Sequence, residues 1–229
     1  GDAETEEVDY VLMGPSMSNL SDTIAKAQKV IDIASTRKDC MGFISPYRGD
    51  VIGISAVGDI VDRTVSFFDQ LSSSSYAVFD NNYEYIYDRY NDVYRYIPCN
   101  ADVAGLTLST TLNQEPWFSP AGFNRGQLRN AVKLAYSPLK DHRDRLYASR
   151  INPIVAFPGE GIVLFGDKTA LAYQSAFDRI NVRRLFLVLE GSIAQAAKTQ
   201  LFELNDEFTR QGFKNIVEPF MRSVQSRRG

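Results

Sequence analysis

Between residues 8 and 80 the sequence alternates short apolar runs with longer helical patterns, and few folds tolerate that order. VDYVLMGPS reads as a strand, Val8 to Met13, stopped by Gly14-Pro15. In the next segment, SDTIAKAQKVIDIASTRKD, residues Ile24, Ala27, Ile31 and Ala34 fall on one helical face and Ser21 is placed to cap it. CMGFIS, Cys40 to Ser45, is a second strand. Asp59 is placed to cap a second helix whose inner face carries Ile60, Thr64, Phe68 and Leu71, and YAVFD, Tyr76 to Asp80, is a third strand. Strands joined by helical crossovers of this length lie parallel in one sheet.

The pattern then changes. YEYIYDRYNDVYRYIP holds six tyrosines. Their period of two predicts a β-hairpin turning near Arg89 to Asp92, with rings packed along their bodies and hydroxyls in water. Gln127 to Ala135 reads as a helix with Leu128, Ala131, Val132 and Ala135 inward, and LKDHRDRLYAS as a short charged helix. NPIVAFPGEGIVLFG predicts a hairpin around Pro158 to Gly161. From Asp178 to Lys198 an apolar stripe of Val182, Leu185, Phe186, Leu189 and Ile193 predicts a long helix. Asn205 is placed to cap a last one carrying Phe208, Phe213, Val217 and Phe220, with a break or kink at Pro219. The fold class is α/β (α+β overall). Its parts are an acidic lead-in (1–9), an α/β domain with the tyrosine hairpin (10–135) and a hairpin-plus-helices part (136–229).

Known catalytic and ligand patterns are incomplete. The single histidine, His142 in KDHRDR, has charged neighbours and no GxSxG serine, and reads as a solvated helix residue. Cys40 and Cys99 stand outside any ligand cluster and read as buried, reduced thiols. GxxxxGK[ST] and GxGxxG are missing, so no phosphate or cofactor site is predicted. A sequence pI near 5.3 argues against nucleic acid, and no apolar run approaches the roughly 18 residues of a membrane span. Charge is unevenly spread. Residues 1–100 carry 8 Lys and Arg against 16 Asp and Glu, whereas residues 101–176 and 177–229 have nets of +2 and +3. Opposed faces of this kind favour head-to-tail association.

PWFSPAGFNRG, Pro116 to Gly126, holds the only tryptophan. It resembles the W–x–[SA]–P–A–G loop of contractile tail sheath proteins. INPIVAFPGEGIVLFGDKTA, FDRINVRRLF and LFELNDEFTRQGFKNIVEPFM are similar to further segments of that family, in the family's order over residues 116–221. The part from VDYVLMGPS to NADVAGL is similar to sheaths of large T-even-like phages. The resemblance implies a subtilisin-like α/β core without protease activity, in a subunit that stacks helically around an inner tail tube and contracts to drive the tube through the host envelope. The implied partners are other sheath subunits, the tube, and baseplate and tail terminator proteins, in the virion tail, without cofactor or membrane insertion. The start at Gly1-Asp2 and the end at SRRG read as a core fragment without the family's terminal arms.

Physical reasoning adds roles within the loop. Pro116 and Pro120 restrict the unfolded chain, Gly122 and Gly126 allow conformations other residues resist, and Trp117 anchors the loop inside the subunit. Phe123 and Arg125 are expected nearer an interface. In RINVRRL, Arg179, Arg183 and Arg184 are candidate interface residues, with Arg183 and Arg184 expected to bind acidic groups on an adjacent subunit or the tube. Two other readings remain open. One is the sheath of a bacterial contractile injection machine. The other is an inactive hydrolase-like domain that binds carbohydrate through Tyr85 and Tyr94.

Overall fold

The computed structural model describes residues 6–229, and the first five residues of the acidic lead-in lie outside them. Strand β1 (Tyr10–Leu12) leads to helix α1 (Leu20–Arg37), β2 (Met41–Ile44), α2 (Val57–Asp69) and β3 (Ala77–Asp80). The tyrosine hairpin follows as β4 (Tyr83–Asp88) and β5 (Val93–Pro98), then α3 (Asn100–Asn113). Beyond it come β6 (Lys133–Leu134), α4 (Lys140–Ala148), β7 (Ile151–Asn152), the hairpin β8 (Ile154–Phe157) and β9 (Gly161–Leu164), and helices α5 (Ile180–Lys198) and α6 (Glu207–Ser226).

The central sheet has the order β1-β2-β3-β7, and each pair is parallel. Alternate residues of its short strands therefore serve two different cores. Ile44, Ala77, Phe79 and Ile151 pack with Ala27, Ile31, Ile60, Phe67, Phe68 and Leu146 from α1, α2 and α4. Met41, Phe43 and Val78 face the other way, onto Val103 and Ala104 of α3, Ile154 and Leu164 of the second hairpin, and Ile180. Gly42 marks where α1 comes closest, because a Cβ there would meet Val30 Cγ1 at 2.8 Å. The stretches on either side of residue 135 share this sheet, since β7 pairs with β3.

Several local expectations are corrected. The cap of α1 is Asn19, whose side chain accepts from the Asp22 N–H at 2.8 Å, and Ser21 lies inside the helix. Helix α2 starts at Val57, with Asp59 in its first turn rather than at the cap. Asp206, not Asn205, caps α6, and the helical run continues unbroken through Pro219. The proline removes one bond and leaves the others of the ladder in place.

The predicted helix at Gln127 to Ala135 is extended instead. The N–H of Leu128 donates to Ile162 at 2.9 Å, that of Val132 to Tyr85 at 2.9 Å and that of Ala135 to Tyr83 at 2.8 Å. These bonds to both hairpins outweigh helix propensity, and Leu128 and Leu134 point inward while Val132 is exposed. Helix α3 carries no periodic apolar stripe. Its threonines bond back to their own turns, Thr107 to Val103 at 2.7 Å and Thr110 to Leu106 at 2.8 Å, which gives it a small, self-satisfied inner face.

The hairpin β4–β5 turns at Arg89 to Asp92, with Asp92 at φ 54°. Tyr85 stacks on Tyr94 at 5.4 Å, and Lys133 sits over Tyr85 at 4.8 Å. His142 is half-buried rather than solvated, with Nδ1 enclosed and, among the described residues, unpaired. Cys40 and Cys99 are both buried free thiols.

Candidate functional site

The Trp117 loop sits where the C-terminal helices meet the body. Trp117 is 6% exposed and packs with Leu189 of α5 and Val224 of α6, flanked by Phe118, Leu185, Val188 and Phe220. Its indole N–H donates to the Arg227 carbonyl at 3.0 Å, and the Arg227 guanidinium lies 5.3 Å over the ring. Arg227 also pairs with Glu115 at 2.9 Å. One aromatic side chain thus holds the end of α6 against α5 and the loop.

The glycines close the loop onto the second hairpin. Gly122, at φ 93°, donates to the Leu164 carbonyl at 2.9 Å. Leu164 donates to Gly126 at 2.7 Å, and a Cβ on Gly126 would meet the Leu164 carbonyl at 2.8 Å. Pro120 is buried between them. Phe123 is 42% exposed and forms an aromatic group with Phe157 at 5.2 Å and Phe165 at 5.9 Å, beside Arg143. Arg125 curls back onto its own loop, donating to the Ser119 carbonyl at 2.6 Å and to Gln114 at 3.3 Å.

The three arginines of the next motif separate. Arg179 keeps a partly exposed side chain, paired to Asp167 at 2.7 Å and Asp178 at 3.5 Å, and bonded to the Tyr147 hydroxyl. Asp167 also accepts from Ser119, so the pair ties the entry of α5 to the Trp117 loop. Arg183 and Arg184 are only 6% exposed each, which corrects the expectation that they reach outward. Arg183 lies between Tyr76 at 4.3 Å and Phe177 at 4.0 Å and donates twice to Ser75. Arg184 donates to the Thr107 carbonyl at 3.2 Å, the Tyr10 hydroxyl at 3.0 Å and the Thr111 hydroxyl. Burial lowers its pKa. The physical reason is that both surfaces packed against this turn of α5 present hydroxyls and rings rather than aliphatic groups. Helical spacing alone does not reveal those neighbours. Conversely Phe186, expected inward, stays partly exposed against Phe177.

The arrangement offers cation–π clamps, ion pairs and close backbone approaches. It is suited to holding elements rigidly. A groove of about 590 Å³ runs beside it, between α3 and residues 124–130, lined by polar side chains including Asp102, Gln114, Arg125 and Arg129.

Comparisons with known proteins agree on the kind of molecule. The phage tail sheath protein central domain model matches residues 2–170. The tail sheath protein of Vibrio phage KVP40 is 42% identical over 98% of this chain, and that of Enterobacteria phage T4 is 43% identical over 96%. This chain spans 36% and 35% of those two proteins, about a third of their length. Among solved structures, the helical sheath of the anti-feeding prophage in its contracted state superposes with a TM-score of 0.75 at 17% identity, covering 98% of this chain and 56% of that one. The contracted sheath complex of the extracellular contractile injection system PVC gives 0.72, also at 17% identity, over 98% and 57%. This chain belongs to the phage tail sheath family.

Proposed function

We propose that the chain is the core of a contractile tail sheath subunit, a non-enzymatic structural protein of the virion tail. The full-length protein polymerises helically around the inner tail tube and contracts to drive the tube through the host envelope during genome ejection. Its partners are neighbouring sheath subunits, the tube, and the baseplate and tail terminator proteins. The observation that carries this reading is the identity of 42% and 43% to two phage tail sheath proteins across nearly the whole chain. The likeness in fold to injection-system sheaths keeps a bacterial contractile machine as the second reading, at the lower identity of 17%. The parallel sheet with helices on its face supports a subtilisin-like arrangement, used here for packing rather than for catalysis.

Within that reading, Phe123, Arg125 and Arg179 are the contact residues. Each keeps exposed surface while held by its own subunit. Trp117, Pro120, Gly122 and Gly126 hold the loop that presents them. Contraction as movement of near-rigid bodies needs a subunit that does not deform, and the clamps around Trp117 and Arg183 supply that stiffness.

Electron microscopy of the full-length protein tests this. Wild type is expected to form tubes of constant diameter. Arg125→Glu is expected to keep its circular dichroism spectrum, with a small fall in melting temperature from the lost bond to the Ser119 carbonyl, while tube formation is lost. Normal tubes from Arg125→Glu would remove that residue from the interface. No tubes from wild type, even with an inner tube as template, would overturn the sheath reading.

A further inference from the structure

A second site lies where the tyrosine hairpin runs into α3, beside the groove that Arg125 of the Trp117 loop also lines. Glu84, the second residue of β4, points inward and is 1% exposed. Its register neighbours are Ile97 on β5 and Leu134 on β6, neither of which can bond a carboxylate. Among the described residues Oε2 of Glu84 has no hydrogen-bond partner, an arrangement costly for a buried carboxylate. The group within hydrogen-bonding reach is another acid, Asp102 in the first turn of α3. A third acid, Asp80, is fully buried nearby, but it accepts from the Ser45 hydroxyl at 2.6 Å and the Asn82 N–H at 3.1 Å.

The surroundings supply no counter-charge. Among the described residues, none of the recorded ion pairs involves Asp80, Glu84 or Asp102. From α3 the facing groups are Asp102 and the buried Cys99 thiol. From β3 it is Asp80, with the Tyr83 and Tyr136 phenols near Asp80 rather than at the Glu84 carboxyl. On β5 the nearest charge, Arg95, is paired to Asp88 at 3.0 Å, and on β6 Lys133 sits over Tyr85. Arg125 and Arg129 line the groove that Asp102 also lines, without pairing to it.

Two carboxylates cannot both ionise in contact inside a protein without a cation, and one shared proton removes the conflict. We propose that Glu84 and Asp102 hold a single proton between them, with Glu84 as donor, and that this proton pins the tyrosine hairpin onto the first turn of α3. The direction follows from position. Asp102 sits in the first helical turn, where the dipole favours a negative charge, while Glu84 lies in a strand among apolar neighbours. With the proton on Glu84, the unpaired oxygen becomes a donor and the orphan disappears. The electrostatics agree: burial, then Asp102, push the Glu84 carboxyl up to about 8, and burial raises Asp102 as well.

A carboxyl whose pKa is raised by folding binds its proton more tightly folded than unfolded. Stability is therefore greatest below the ordinary glutamate value of 4.5, falls as pH rises, and is lowest above about 8. Asp80, pushed to about 7 by burial, acts in the same sense over a lower window. Cys40 and Cys99, also raised by burial, add a loss that begins towards pH 9, so the difference in slope between wild type and Glu84→Gln, rather than the wild-type slope alone, reports the carboxyl pair.

The test is denaturant unfolding of this chain across pH 7 to 9, beside a carbon-13 carboxyl titration of glutamate-labelled protein. In wild type the unfolding constant is expected to rise by up to about tenfold per pH unit before levelling off. One glutamate resonance is expected to titrate near pH 8. Glu84→Gln keeps a donor of the same shape, so it is expected to stay folded at pH 7, to flatten the dependence and to lack that resonance. Wild-type protein in which every glutamate titrates below pH 6 would overturn the proposal whether or not the variant folds. So would a Glu84→Gln variant with the full wild-type slope. Stabilisation of wild type, but not of Glu84→Gln, by added calcium or magnesium would mean a bound cation in place of the proton.

Discussion

Phe68 and Phe208 lie on the apolar faces of helices with similar periodicity, yet Phe68 is fully buried and Phe208 is 87% exposed. The difference separates two regions. Around the parallel sheet, α2 lays Phe67 and Phe68 against Phe79 and the strand residues beside it, with Phe68 and Phe79 stacked at 4.4 Å. Beyond α5, the chain presents Leu201, Phe202, Leu204 and Phe208 to the outside, and α6 meets the body chiefly through Val224, Phe220 and the Trp117 ring. Amphipathic sequence announces a face that can be buried. What covers it depends on the rest of the molecule. In the body the sheet does so. At α6 the cover is one small cluster near the helix's end.

The sharpest test of this contrast removes a ring from the body. Phe68→Ala is expected to cost about 3–5 kcal/mol in global unfolding, because it leaves a cavity between α2 and the sheet. Denaturant titration followed by far-ultraviolet circular dichroism measures it, and a cost below about 1 kcal/mol would break the picture of a tightly packed body. Trp117→Ala is expected to have a smaller effect on global unfolding than Phe68→Ala, because the loss is confined to the C-terminal helices. Hydrogen exchange would then speed in α5 and α6 while β2 and β3 keep their protection. Equal loss in both regions would mean that the two fold as one unit. The least effect is expected from Phe208→Ser, within about 0.5 kcal/mol of wild type. A larger loss in the isolated chain would show that α6 buries this residue in solution.

The body was largely legible from sequence because its signals are local and agree with one another. Three strands, two amphipathic crossovers and two hairpins each carry their own periodicity and turn residues, from Gly14-Pro15 to Pro158-Gly159. Helix α3 was not, because Thr107, Thr110 and Thr111 resemble a loop or strand until their hydroxyls find carbonyls a turn earlier. The segment 127–135 misled in the opposite sense, since its apolar spacing suits a helix and its backbone is claimed by two hairpins.

The candidate site divides in the same way. The positive φ at Gly122 and the close approach at Gly126 belong to residue types that permit such geometry, so the loop could be anticipated from its composition. The fates of Arg179, Arg183 and Arg184 could not. Successive positions on one helix turn meet different neighbours, and those neighbours are Asp167, Ser75 and Tyr10, scattered along the chain. The acid pair was equally hidden, because Glu84 and Asp102 look like ordinary surface charges until the fold buries Glu84 and leaves Asp102 half-covered beside it.

By itself, then, the sequence determined the parallel alternation, the hairpin turns, the tryptophan loop and the family, all written in residues near one another or in short motifs read directly. Only tertiary structure decided which charges are spent inside the subunit, which apolar faces remain uncovered, and where a carboxyl must keep its proton. Those outcomes depend on what lies across the gap from a side chain, and burial and pairing energies are set by that neighbour rather than by the residue's own type.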